Sequence, residues 1–294
     1  MSWDDFAAHA KAAADWGAHY HTTIRDRPVR AQTKPGDIAA QLETTAPETG
    51  TPLSTIMEDF EHIVMPGITH WQHPRFFAYF NSNAAPASVL AEFLAAIIAP
   101  QCMLWQTSPA ATEMETRMMD WLRHGLGLPD AYQGVIQDSA SSATLAAVLT
   151  MRERALNWTG NAQGLAGQAT LRIYCSDQVH SSIDRAIWVA GIGQDNLVKI
   201  PTHGDLRGMN AAALRNAIAA DRATGHIPAG VIAATGATGM GACDDLQAIV
   251  DIAKAEGLYT HLDAAWAGTA MICPEFRHLW AGADQFDSIV FNPH

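Results

Sequence analysis

The chain has 294 residues, of which 48% are hydrophobic and 16% charged, and its net charge is −12. That length buries one large core, or a large core plus a smaller appendage, and the composition argues against wholesale disorder. No Lys/Arg cluster offsets the acidity, so neither nucleic acid nor an anionic membrane is expected as a partner; an anionic small ligand needs only local donors.

Residues 2–27 carry apolar side chains at helical spacing (Trp3, Phe6, Ala10, Ala13, Ala14) until RDRPVRAQTKPGD breaks the pattern. This opening stretch holds acids and no apolar run, so it does not read as a signal peptide. The next part, to about residue 51, is rich in Pro, Thr and Glu and is expected to be an extended arm. In PLSTIMEDFEHIVMPGI a helix is expected, capped by Ser54, with Glu58 in its first turn and Pro66-Gly67 at its end. HWQHPRFFAYFNSN is aromatic and irregular. The most apolar run, 89–100, is too short to span a membrane and contains Glu92.

From residue 86 the texture changes. Helices are expected at 86–99 and 110–126, then a strand at GVIQD (134–138), a helix at 142–157 and a strand at ATLRIYCS. A helix at 181–190, strand NLVKI, helix 210–223, strand GVIAAT, helix 244–256 and strands GLYTHLD and DSIVFN complete the order. Such alternation indicates an α/β fold with a largely parallel, doubly wound sheet. Residues 1–85, with too little apolar pattern to close a core alone, are expected to be a helical and extended dimerisation segment, and 86–294 a large domain. GNAQGLAGQ (160–168) is expected to be a flexible loop. The four cysteines, Cys102, Cys175, Cys243 and Cys273, are widely spaced and read as small core hydrophobes in a reduced, cytoplasmic protein. His62, His70 and His73 lack the carboxylate or thiol neighbours of a metal site, and no metal is expected.

In open α/β sheets ligands bind beyond the carboxyl ends of the strands. Ser139-Ala140-Ser141 follows an expected strand and opens a helix. Its hydroxyls and free amides could cradle a phosphate or could simply cap the helix, and the two readings weigh equally. Asp263 ends the apolar strand HLD. It either caps the next turn or points into the cleft, where a buried carboxylate needs a cationic partner such as a protonated pyridine nitrogen. A pyridoxal-phosphate (PLP) site would also want a lysine at a strand end. None of Lys11, Lys34, Lys199 and Lys254 sits at one.

Several segments in order, HPRFFAYFNS, SPAATEMETRMMDWL, SDQVHSSIDRA, HLDAAWAG, CPEFRHL and FNPH, resemble the aromatic-L-amino-acid decarboxylase family, the group II PLP-dependent decarboxylases. The resemblance spans roughly residues 52–294. It implies a PLP-dependent transferase-like large domain of fold type I. In that family NPH is followed directly by the lysine that carries PLP, so that lysine is expected immediately after His294, either read as a non-standard residue because it bears the cofactor or removed by truncation; the first is favoured. The resemblance assigns Ser139, Ala140 and Ser141 to the phosphate, with Asn292 and His294 nearby. Asp263 becomes the partner of the pyridine nitrogen, Ala265 a contact of the ring, His180 the residue stacked upon it and Thr238 a cofactor neighbour. Ala237 and Gly239 depart from the usual polar neighbours of that threonine. Trp71, Tyr79, Phe80 and Ser82 match substrate contacts, and Met103 stands near a position often aromatic in the animal enzymes.

The implied activity is decarboxylation of an aromatic L-amino acid to its amine and CO2 by a homodimer, with Asp263 and His180 as catalytic residues. Two other readings stand beside it. An aldehyde synthase on the same scaffold would decarboxylate and then oxidatively deaminate, and His180 favours plain decarboxylation. A non-catalytic fragment or homologue is the account if the protein truly ends at residue 294.

Overall fold

The computed structural model describes residues 2–294. It divides into two compact units, one comprising the residues up to Ile98 together with His294, the other Ala99–Pro293.

The first unit opens with α1 (Trp3–Thr23), whose N-terminus is closed by the Asp5 carboxylate accepting from the hydroxyl and amide of Ser2. α1 then lays an aromatic stripe on the following chain. Trp16 stacks on Tyr20 at 5.5 Å and meets the Phe60 ring edge-on, and the Tyr20 hydroxyl lies 2.8 Å from Nδ1 of His70. Helix α2 (Leu53–Asp59) runs on through a π turn (Phe60–Val64) and a 3-10 turn that ends at Gly67. Ser54 does not cap it. The carbonyl of Pro52 already accepts the Ile56 amide at 3.2 Å, so the helix starts earlier, Ser54 lies inside the first turn and Glu58 falls beyond it. α3 (Pro86–Ile98) closes the unit, and its Phe93 stacks on Phe6 of α1 at 5.8 Å.

The second unit begins with α4 (Pro109–Leu126), ended by Gly127 in the left-handed region at φ 73°. α5 (Ala140–Ala155) and the short α6 (Gly160–Gln163) precede strand β1 (Leu171–Ser176). So the expected loop at 160–168 starts with a helical turn, held because the Asn161 amide donates to buried Glu153. There follow α7 (Ser182–Val189), β2 (Leu197–Ile200), a small hairpin of β3 (Thr202–His203) and β4 (Gly208–Met209), and α8 (Ala211–Ala223). Then come β5 (Ile227–Ala234), α9 (Leu246–Glu256), β6 (Tyr259–Asp263) and β7 (Ser288–Val290).

Five strands form one wholly parallel sheet in the order β2-β1-β5-β6-β7. Both faces are covered, which is why the strands read as apolar runs rather than clean alternation. Val231, Ala233 and Leu262 pack with Leu214, Ile218, Ile249 and Val250 of α8 and α9. Ile173, Cys175 and Ile232 pack on the other face with Val148, Met151, Ile183 and Ile187 of α5 and α7.

Two further expectations fail here. Residues 134–138 form no strand, and Val135 and Ile136 are each 64% exposed. A strand needs a ladder partner, but the Ile136 amide donates to the Glu115 carboxylate of α4 at 2.7 Å, and the segment borders a cleft facing β7. Cys102, expected in the core, is exposed, because the irregular stretch that carries it offers no apolar face to bury it. Cys175 is buried as expected, while Cys243 and Cys273, in the connections after β5 and β6, are only half-buried. Among the described residues no helix is long and apolar enough to cross a membrane.

Candidate active site

Parallel register sets Ala234, Asp263 and Val290 abreast at the carboxyl edge of β5, β6 and β7. The chain leaving each strand is tied to its neighbour. The Thr235 amide donates to the Asp263 carbonyl at 3.1 Å, and the Ala264 amide to the Val290 carbonyl at 3.0 Å. Asn292 donates to the Ala265 carbonyl through both its backbone (3.3 Å) and its side-chain amide (3.2 Å), and its own carbonyl accepts from the Thr269 hydroxyl at 2.7 Å. Asp263, Ala265 and Asn292 therefore share one rigid corner.

The Asp263 carboxylate is half-buried there, and its Oδ1 accepts the Ala265 amide at 3.1 Å. It does cap the next turn, as one reading of the sequence held. Burial raises its carboxyl above the usual carboxylate range, against the amide of Ala265 and the charge of His180. A carboxylate so placed is stabilised by a cationic partner.

His180 follows β1 on an exposed turn, beside Val179, which packs on Ala234, Ala237 and Ala242. The loop after β5 folds back on itself, with the amides of Gly236 and Ala237 both donating to the Ala242 carbonyl at 2.9 Å. Thr238 stands exposed at the outer part of that loop. Gly236, at φ 78°, comes so near the next turn that an added Cβ would lie 2.4 Å from that of Ala267.

Ser139 is the N-cap of α5, and its Oγ accepts the Ser142 amide at 3.3 Å. Capping thus occurs; it leaves the amides of Ala140 and Ser141 at a helix N-terminus, where an anion is favoured. Ser139, Ala140 and Asn292 line a single cleft of about 770 Å³ bounded by α5 and β7.

The remaining candidates belong to the first unit. Trp71 stacks on Phe76 at 4.9 Å and on Tyr79 at 5.6 Å; Tyr79 is 87% exposed, and Ser82 is also exposed. Phe80 packs edge-on against the ring of His294. Among the described residues no group of three His, Cys, Asp or Glu side chains is placed to hold a metal.

Residues 35–294 match the family model described as the pyridoxal-dependent decarboxylase conserved domain. The chain belongs to the pyridoxal-dependent decarboxylase family. It is 41% identical to the aromatic-L-amino-acid decarboxylase of Rattus norvegicus over 302 aligned residues, which cover 99% of this chain and 62% of that protein. The chain thus spans 62% of the length of this curated relative. The solved Oryza sativa TDC with PLP and tryptamine superposes at a TM-score of 0.94 with 35% identity, covering 100% of this chain and 64% of that one. The Rhodiola rosea 4-hydroxyphenylacetaldehyde synthase also superposes at 0.94, with 34% identity and coverage of 99% and 63%.

PLP is the cofactor of this family, and the residues in hand suit it. A half-buried carboxylate at the carboxyl end of β6 matches its pyridine nitrogen, and the amides opening α5 match its phosphate. Two further residues of this corner were given no role by the sequence. Asp244 is buried and accepts the amides of Met209 and Ala234, each at 2.7 Å, so it clamps β4 to the end of β5. Burial pushes its carboxyl up to about 6, while both amides act the other way. The signal for it was the Asp244-Asp245 pair, since Asp245 alone caps α9. His261, two residues before Asp263 on the same strand face, is buried with Nδ1 2.8 Å from the Ser288 hydroxyl, and its Nε2 has no hydrogen-bond partner.

Burial pushes His261 down to about 4. A histidine whose folded value lies below 6.5 stabilises the fold above 6.5 and loses that contribution as pH falls towards 4. The displacement is worth on the order of 3 kcal/mol. Asp244, displaced upward, works in the opposite sense across the same interval, so a comparison with a His261→Gln variant isolates the histidine. Urea unfolding at pH 7 and 4.5 is expected to show a steeper loss of stability on acidification in the parent than in the variant.

Proposed function

We propose that the protein decarboxylates an aromatic L-amino acid with PLP, releasing the amine and CO2. The observation that carries this is the half-buried Asp263 carboxylate at the carboxyl end of β6, held by the Ala265 amide in one corner with Ala265 and Asn292. When bound, PLP supplies the electron sink for the bond that loses CO2. Asp263 would hold the proton of the pyridine nitrogen, which would keep that sink effective. The amides of Ala140 and Ser141, with Asn292, would hold the phosphate, and His294 ends the NPH segment assigned to it. His180, Ala265 and Thr238 would hold the ring.

The stacked rings of Trp71 and Tyr79, with Phe80 and Ser82, supply the flat apolar surface that an aromatic side chain fits. Tyr79 holds φ 56°, a conformation that costs a non-glycine residue about 1–3 kcal/mol and is typical of ligand clamps.

The active form is a homodimer. α3 presents Val89, Leu90, Leu94 and Ile98 at 54–71% exposure, an apolar surface that calls for a second copy.

Measured in the whole protein with PLP, CO2 release from tryptophan, phenylalanine, tyrosine and dihydroxyphenylalanine is expected to exceed release from histidine and glutamate. Glutamate as best substrate would overturn the substrate class, aldehyde with ammonia and peroxide would establish the synthase reading, and no CO2 from any of them would leave the non-catalytic one. Asp263→Asn is expected to keep the fold and lower kcat by about 10²-fold or more, the scale of losing a preorganised electrostatic partner. Light scattering at micromolar concentration is expected to give a dimer, and Leu90→Lys with Leu94→Lys a monomer; a fully active parent monomer refutes the dimer.

A further inference from the structure

We infer that Ser182 is a positioning residue that fixes the tautomer of His180, so that the ring presents Nε2–H as a donor. The inference deepens the decarboxylase reading and, for its catalytic consequence, rests on it.

The geometry is local and specific. The backbone amide of Ser182 donates to Nδ1 of His180 at 3.2 Å, and the Ser182 hydroxyl lies 2.9 Å from the same nitrogen. An amide hydrogen cannot rotate away, and the direction of this one is set by the first turn of α7. Nδ1 therefore accepts, and it cannot carry a proton of its own against that N–H. In the neutral ring the proton then resides on Nε2. The hydroxyl, which is free to turn, directs its hydrogen to the same lone pair and reinforces the choice.

The two serines of the HSS triplet divide the work. Ser181 Oγ accepts from Arg185 at 3.0 Å, one turn along α7, whereas Ser182 is buried at 6% exposure and faces the histidine. His180 is in turn held from both ends. Its ring satisfies an amide at the N-terminus of α7, where intrahelical acceptors are lacking, and its carbonyl accepts the Ile183 amide at 3.1 Å. The neighbouring Val179 is packed against the alanines around the end of β5. A ring anchored in this way has one free nitrogen, and Ser182 determines that it is a donor rather than an acceptor. Its partner is expected to be an acceptor atom of the substrate or cofactor.

The test reads the tautomer directly, by long-range ¹H–¹⁵N correlation on the ¹⁵N-histidine-labelled chain, without cofactor or substrate. The His180 signal is assigned by its loss in His180→Gln, and the unchanged His261 signal reports an intact fold. In the parent the proton is expected on Nε2. In Ser182→Ala the Nδ1 resonance is expected to move, and in Ser182→Thr, which keeps the hydroxyl, to stay. A proton on Nδ1 in the parent overturns the inference, as does an Nδ1 resonance indifferent to the loss of the hydroxyl. Ser182→Ala keeps the backbone amide and is expected to leave the proton on Nε2, whereas Ser182→Pro removes that amide at the first position of α7 and is expected to populate the Nδ1–H ring. In the whole protein with PLP, Ser182→Pro is expected to lower kcat with KM changed less than threefold. An unchanged tautomer in Ser182→Pro overturns the inference, and an unchanged kcat overturns its catalytic consequence. If no amino acid releases CO2 while the tautomer is as stated, the decarboxylase reading fails and the assignment of the proton stands.

Discussion

The lateral pairing of β5, β6 and β7 is the constraint on which the rest of the site depends. Because the strands are parallel and in register, their carboxyl ends emerge side by side, and three successive loops must share one edge. Each loop uses its first amides to bond the strand or turn beside it, so the corner holding Asp263, Ala265 and Asn292 is an extension of the sheet rather than a set of independent loops. A carboxylate placed there inherits the rigidity of the sheet, and that rigidity makes its burial useful to an enzyme: preorganised charge need not reorganise when a ligand arrives.

Burial of polar groups is concentrated at this edge; Asp244 is satisfied there, whereas Thr235 Oγ1 and His261 Nε2 have no hydrogen-bond partner. Asp244 receives two amides and thereby fixes where the loop carrying Thr238 starts and ends. Gly236 lets that loop approach the turn after Asp263 more closely than any side chain would allow. His261 shares its strand face with Asp263 and reaches Ser288 on the next strand, which cross-links β6 to β7 just beneath the corner. Support for the site thus comes from backbone amides and short side chains packed behind it, as a precisely held constellation requires.

The candidate substrate residues follow a different logic. Trp71, Phe76 and Tyr79 stack on one another in an irregular segment, and their order comes from ring contacts rather than from a hydrogen-bonded ladder. Such a surface can vary in shape without disturbing the sheet. Binding residues on a loop and supporting residues on a scaffold are the usual division in α/β enzymes.

Much of this was legible in the residues alone. The alternation of helical and extended patterns dictated a parallel sheet, because each apolar strand run needs cover on both faces, and the order of helices and strands after residue 139 follows from it. Asp263 was legible because an acid that ends an apolar strand has few reasons to be there, and the serines at 139–141 because hydroxyls before an apolar helix either cap it or bind an anion. Tertiary structure decided the rest. Residues 134–138 have a strand's composition and yet stay unpaired, because pairing belongs to the neighbour and the Ile136 amide is taken by Glu115, 21 positions earlier. Asp244 lies outside the segments that resemble the family, and His261 and Ser182 lie inside them with no role assigned; what the three do depends on amides, hydroxyls and a ring nitrogen that the fold brings to within 3.2 Å. Composition and period report which way a side chain faces, because they follow the geometry of one strand or one helix. They cannot report what it meets there, because that partner is supplied by the fold.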